Sequence, residues 1–206
     1  MKQYIEKAID FEAYLKLIDD LLVDHLTTGP DQSEAMYEYA RLNRQRMKRL
    51  GKLIEIEPEV ISKVAELDVD WTWLTITEGW CGDAAQNIPI IEKIAAANPE
   101  IRTRYILRDE NPQLMDRYLT NGARSIPLLI AFDNRIGKVN GTWGPRPAAG
   151  QQMFLDLKKQ GLDKAEINEM MQRWYNEDRG RSLQHDLVGL VKDWESRGRE
   201  VEAIAA

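Results

Sequence analysis

Apolar residues recur at helical spacing over residues 10–27, where Phe11, Tyr14, Leu15, Ile18, Leu21, Leu22 and Leu26 line one side and acids the other. Gly29-Pro30 stops that helix. Asp31 or Ser33 is placed to cap a second one, with Met36, Ala40, Met47 and Leu50 on one face. Together these predict a helical hairpin over residues 1–54. From residue 58 the period alternates. Pro58 suits a first helical position and predicts a helix over 58–67. The aromatic and β-branched run 71–77 predicts a strand. A helix follows over 82–97, with Ile88, Ile91, Ile94 and Ala95 on one side, and then a strand over 101–107. Asn111-Pro112 opens a helix that runs to about Leu119, with Gly122 as its terminator. Strands over 128–132 and 136–142, joined by Asp133-Asn134, predict an antiparallel hairpin, and a helix covers 148–159.

Two further helices are predicted beyond residue 160. Asp163 and Glu166 form a capping-box pattern ahead of Ile167, Met170, Met171 and Trp174. Ser182 is placed to cap the last helix, whose apolar stripe is Leu183, Leu187, Leu190, Val191 and Trp194. The order over 55–160 is β-α-β-α-β-β-α. It predicts an α/β three-layer sandwich in which strands joined through helices run parallel and the last pair antiparallel. Residues 1–54 and 161–206 become helical extensions of it.

Composition narrows the function more than the fold. With 206 residues, 43% hydrophobic and 30% charged, the chain has an ordinary soluble balance. A net charge of -6 argues against broad nucleic-acid binding. The second helix is nonetheless basic, with Arg41, Arg44, Arg46, Lys48, Arg49 and Lys52. It reads as a solvated face, and the sharper alternative is an anion or partner surface. The single cysteine, Cys81, excludes an internal disulfide and the usual zinc clusters, and His25 and His185 share no ligand spacing with it. No metal or cofactor is expected. The N-terminal stretch has no basic region before an apolar core, and no apolar run reaches membrane length, so a cytoplasmic chain with a reduced thiol and no membrane partner is expected.

The segment Glu78-Gly79-Trp80-Cys81-Gly82-Asp83-Ala84-Ala85-Gln86 places Cys81 where the first strand meets a helix. Helix-start N–H groups stabilise a thiolate, so a lowered pKa is expected there, opposed by like-charge repulsion from the Asp83 carboxylate. The segment resembles the thioredoxin superfamily, whose motif Trp-Cys-Gly-Pro-Cys stands here as Trp80-Cys81-Gly82-Asp83-Ala84. Ser125-Ile126-Pro127, within Gly122–Phe132, is similar to that family's Ile-Pro-Thr segment. The resemblance covers about half the chain. It implies a thioredoxin-like fold, a cis-proline at Pro127 facing the Cys81 sulfur, and a substrate groove shaped by Trp80, Gly82, Ile126 and Pro127. The family's resolving cysteine is Ala84 here, and its buried strand-one acid is Thr75. Asp83 either replaces that acid as proton acceptor or caps the helix.

Strand order brings Gly141–Pro147 to the same end, with Arg124 just ahead of Pro127. Trp143 offers an apolar wall and Arg146 a forked donor for an anionic thiol. The plainer readings make Trp143 core and pair Arg146 with a surface acid. The first functional expectation is monothiol thiol-disulfide exchange, with Cys81 as nucleophile, Asp83 assisting, and an external thiol resolving the adduct. Its partner would be a protein or a low-molecular-weight thiol or disulfide. The alternatives are a redox-inactive binding module and an oxidant sensor working through a sulfenic acid. The helical ends offer a face for a homodimer.

Overall fold

All seven residues of β1 (Trp71–Thr77) are buried. Burial on both faces makes it the middle of a sheet rather than an edge. The computed structural model describes the backbone of residues 1–205 and the side chains of residues 1–201. Before β1 come α1 (Lys2–Lys7), α2 (Phe11–Val23), α3 (Glu34–Leu53) and α4 (Pro58–Ala65). After it come α5 (Gly82–Ala95), β2 (Ile101–Leu107), α6 (Pro112–Met115), β3 (Leu128–Asp133) and β4 (Lys138–Trp143). The chain ends with α7 (Ala148–Lys159), α8 (Lys164–Asp178) and α9 (Arg181–Ala205). The result is a mixed α/β fold: a four-stranded sheet flanked by helices, with helical additions before and after it.

The sheet order is β2-β1-β3-β4. β1 and β2 run parallel, whereas β3 is antiparallel to both of its neighbours. This departs from the expectation that helix-joined strands run parallel. The cause is α6, which stops at Met115 rather than near Leu119. Leu119 is exposed and Tyr118 only partly buried, so the segment after Met115 adds no fully buried apolar face. Gly122, with φ +80, serves the turn bridged by Thr120 and Ala123 instead of a helix end. One helical turn advances about 6 Å, against about 23 Å for a seven-residue strand. α6 therefore cannot carry the chain back along the sheet, and β3 starts at the end where β1 stops, with Leu128 paired to Ile76.

Alternation along the strands divides the core in two. Trp71, Trp73, Leu129, Ala131 and Trp143 pack with Val60 and Val64 of α4 and with Leu187, Val191 and Trp194 of α9. Leu74, Ile76, Leu128 and Ile130 pack with Tyr14 and Ile18 of α2 and Met47 of α3. α5 feeds both, through Ile91 and Ile94 on one side and Ile88 on the other. The β2 edge is closed by Ile9, which exchanges two backbone hydrogen bonds with Tyr105. The β4 edge lies under α9, where a Cβ on Gly141 would sit 1.9 Å from Trp194 Nε1.

The capping box of α8 is present, with Ile167 and Met171 buried. Met170 is exposed, so the apolar stripe is narrower than the sequence suggests. Ser182 lies inside α9 rather than capping it; its N–H and hydroxyl both donate to Asp178 Oδ1, at 3.1 and 2.5 Å.

Trp194→Ala should cost about 3–5 kcal/mol, the range for truncating a buried aromatic, read as a lower urea midpoint. Gly141→Ala should also destabilise. In the Trp194→Ala background its cost should fall, since the clashing ring is gone. Equal costs in both backgrounds would mean that β4 and α9 do not meet at this contact.

Candidate site around Cys81

β1 delivers the chain to the turn 78–81, and α5 begins immediately after Cys81. Cys81 is the N-cap of α5: its Sγ accepts from Ala84 N–H at 3.5 Å and donates to the Ile126 carbonyl at 3.3 Å. The Ile126–Pro127 peptide is cis, and both residues are buried. Gly144, with φ +131, lies so close that a Cβ there would fall 2.2 Å from the Pro127 oxygen. The proline segment is thus held from the β4 side, while Ile126 meets the sulfur.

The helices before β1 close the turn from the other direction. Thr28 Oγ1 accepts from Gly79 N–H at 2.8 Å, and Asn43 Nδ2 donates to the Gly79 carbonyl at 3.2 Å. Ile18 and Met47 pack into the cluster that holds Cys81. Trp80 is half-buried, with the Arg108 guanidinium 4.7 Å above its ring. Cys81 is left 7% exposed. Burial, and then the charge of Asp83, pushes its pKa up to about 12, against a smaller opposing pull from the Ala84 N–H and Arg146. The lowered pKa expected from the helix start is therefore reversed, because desolvation of a thiolate outweighs the partial charge of one helix end.

Asp83 neither caps α5 nor stands free beside the sulfur. Its carboxylate takes a forked contact from Arg146, Nε to Oδ1 at 3.0 Å and Nη2 to Oδ2 at 2.6 Å. Tyr175 of α8 donates to the same Oδ1 at 2.8 Å and accepts from Asn87 at 3.2 Å. Arg146 also donates to Gln151 at 3.1 Å and covers the Phe154 ring at 3.9 Å. The pair is largely buried, and burial raises the Asp83 pKa despite Arg146 and Tyr175. Arg146 thus has its fork occupied and has none to offer a substrate anion. Trp143 is not a wall of this site: it alternates onto the opposite sheet face and joins the core with Trp73 and Leu129. Arg124 points away too, closing on Asp116 at 2.6 and 2.7 Å on the surface. The structure therefore gathers Trp80, Cys81, Gly82, Asp83, Ile126, Pro127 and Arg146, and leaves out Trp143 and Arg124.

Three contributors escaped the sequence reading. Tyr175 lies on a helix far along the chain, and no local pattern marks it. Asn43 sits among arginines on a helix that read as a solvated face, although it is fully buried. Glu78 stood inside the quoted motif but drew no role. It is fully buried, its Oε1 accepts from Asp109 N–H at 2.9 Å, and its Oε2 has no partner. Burial raises its pKa. Thr75 occupies the strand position expected to lack an acid, and its hydroxyl is buried without a partner. Among the described residues no group of His, Cys, Asp and Glu is arranged to hold a metal ion, and no helix is long and apolar enough to cross a membrane.

A family model described as Thioredoxin matches residues 29–176, taking in α3, the whole sheet and most of α8. No curated protein matches the chain. Among solved structures, a protein of unknown function from Pseudomonas aeruginosa is similar at 13% identity, with a TM-score of 0.57, over 92% of this chain and 95% of that one. An HIV epitope scaffold is similar at 15% identity, also with a TM-score of 0.57, over 93% and 96%. At such identities these likenesses speak to fold alone.

Glu78 supplies a pH test. A carboxyl whose pKa rises on folding stabilises the fold below its ordinary value of 4.5, and that stability is lost as pH rises through the raised value. Glu78→Gln keeps an acceptor for Asp109 N–H and removes the charge. It should gain about 1–3 kcal/mol over the parent chain at alkaline pH, the scale of an unpaired buried group, and little below the ordinary glutamate pKa. Thermal unfolding across that range measures it. A variant that loses stability at high pH would show that the ionised Glu78 is being held.

Proposed function

The chain belongs to the thioredoxin family, and from the geometry of Cys81 we propose that it works as a redox-inactive binding module rather than as a thiol-disulfide exchanger. The observation that carries this reading is the state of the thiol. Cys81 is 7% exposed, hydrogen-bonded on both sides, and shifted from an ordinary 9.0 to about 12. Thiolate is the reactive form, and at neutral pH this environment keeps almost all of the sulfur protonated. The chain also has no second cysteine to release a mixed disulfide. Cys81 then acts as a structural N-cap, and the functional surfaces lie elsewhere on the fold.

A second reading, monothiol exchange, is favoured by one specific observation. Sγ contacts the Ile126 carbonyl directly before the cis Pro127, at the start of α5. In that reading an incoming disulfide is attacked by the Cys81 thiolate, and an external thiol releases the adduct.

Alkylation separates the two. Three pKa units leave about a thousand-fold less thiolate, so iodoacetamide should modify native Cys81 at least that much more slowly than the urea-unfolded chain at neutral pH. Cys81→Ser should also keep whatever partner the protein binds. Native alkylation as fast as unfolded, or a stoichiometric mixed disulfide formed within seconds, would defeat the binding-module reading and favour exchange.

A further inference from the structure

The face of α3 that carries Arg46, Arg49, Leu50 and Leu53 passes the Cys81 turn and ends over an open cleft of about 700 Å³. The cleft lies between the end of α3, the segment 54–58 and the turn from α8 to α9. Arg49, Leu53, Ile54, Tyr175, Arg179 and Arg181 are among its lining residues. Leu53 is 69% exposed and borders the cleft.

Most arginines of the chain close on a carboxylate, as Arg41 does on Glu38, Arg44 on Asp19 and Arg146 on Asp83. Among the described residues Arg46, Arg49, Arg104, Arg117, Arg179, Arg181 and Arg197 have no such partner; Arg49, Arg179 and Arg181 line this cleft, and Arg46 stands one turn away on α3. Arg49 reaches only Asn176 Oδ1, at 3.4 Å. Arg181 gives its N–H groups to the Asp178 and Glu177 carbonyls at 3.1 and 3.2 Å, which leaves its charge unmatched. Arg179 caps α8 with a left-handed backbone, φ 55. Arg46, one turn before Arg49, lies half-buried outside the cleft lining and donates to Asn43 at 2.9 Å. Its pKa is lowered, first by burial and then by Arg49. Guanidinium groups gathered on one side of a cleft repel one another, and an anion relieves that repulsion through forked hydrogen bonds. Glu55 and Glu57 line the side nearer α4, where Glu57 lies 3.8 Å from His185. They confine an anion to the arginine end.

One of the two sequence readings placed an anion at Arg146, whose fork Asp83 occupies. Tyr175 touches Asp83 on one side and lines this cleft on the other. The unmatched cations thus lie just beyond the site first expected to hold them.

We propose that this cleft binds a small organic anion, with a phosphate or carboxylate group held between Arg49 and Arg179 and an apolar body lying over Leu50, Leu53 and Ile54. The proposal deepens the binding-module reading and rests on it for its purpose, while the binding itself is measured without reference to the thiol.

The test uses two fluorescent probes on the intact protein: anilinonaphthalene sulfonate, an apolar body with one negative charge, and the neutral phenylnaphthylamine. The sulfonate should bind saturably at one site, about tenfold or more tighter than the neutral dye, a gap of the order expected for one charged contact. Arg49→Gln combined with Arg179→Gln should weaken it by a similar factor. Leu53→Glu, at an exposed position, should weaken it without lowering the melting temperature, and it carries the test if the double variant fails to fold. Displacement of the dye by hexyl phosphate or by hexanoate identifies the headgroup. Non-saturable binding, equal affinity for the neutral dye, unchanged affinity in the variants, or displacement by neither competitor would overturn the proposal. Cys81→Ser should bind the dye as the parent does. A reactive thiol with intact dye binding would sink the binding-module reading alone, and an inert thiol with failed dye binding would sink the cleft alone.

Discussion

Burial of one sulfur atom sets the terms for everything else around the turn from β1 to α5. Cys81 stands at a helix start, which favours a thiolate by up to about 2 kcal/mol in partly buried settings. It also stands in a packed volume that disfavours the charge. The net rise from 9.0 to about 12, in which burial and then Asp83 outweigh the helix-start N–H and Arg146, corresponds to about 4 kcal/mol against the thiolate. Packing therefore wins. The surroundings come from the sheet and from the helices before it: Ile18 and Met47 share the apolar cluster of Cys81 with Ile76 and Leu128, while Thr28 and Asn43 hold the Gly79 backbone that positions the turn.

The charges nearby follow the same logic. A carboxylate at Asp83 next to a sealed sulfur would be costly if left alone, so it is matched by Arg146 and steadied by Tyr175. That arrangement ties the start of α5 to the loop after β4 and to α8. It also removes Arg146 from any role in ligand capture. Compensation at this place stands in contrast to the end of α3 and the α8–α9 turn, where Arg49, Arg179 and Arg181 line a cleft without closing on its acids, Glu55 and Glu57. A protein that pairs most of its arginines but leaves Arg49 and Arg179 unmatched around one cleft concentrates positive charge where a small anion fits.

Much of the fold was legible in the sequence, because its signals were local. The bounds of β1 and β2 follow from dense runs of aromatic and β-branched residues, and the capping box of α8 from Asp163 and Glu166. The direction of β3 was not legible, since it depends on how little of the segment after Pro112 coils into helix. The location of Cys81 at a strand-to-helix junction was equally local and readable. Its burial was not, because Ile18 and Asn43 come from helices that read as a separate extension. Trp143 illustrates the same limit: its position along β4 was near the mark, but the face it takes is set by pairing with Leu129. Tyr175 could be found only once the chain had folded.

The most direct measurement is the carbon-13 chemical shift of the Cys81 Cβ followed through a pH titration of the native protein. A sealed N-cap thiol should show no inflection through the neutral and mildly alkaline range, and the signal should move only as the fold itself gives way. A clean inflection near neutrality, with the rest of the spectrum unchanged, would mean that the sulfur ionises in place, and the account of a buried, inert thiol would be wrong.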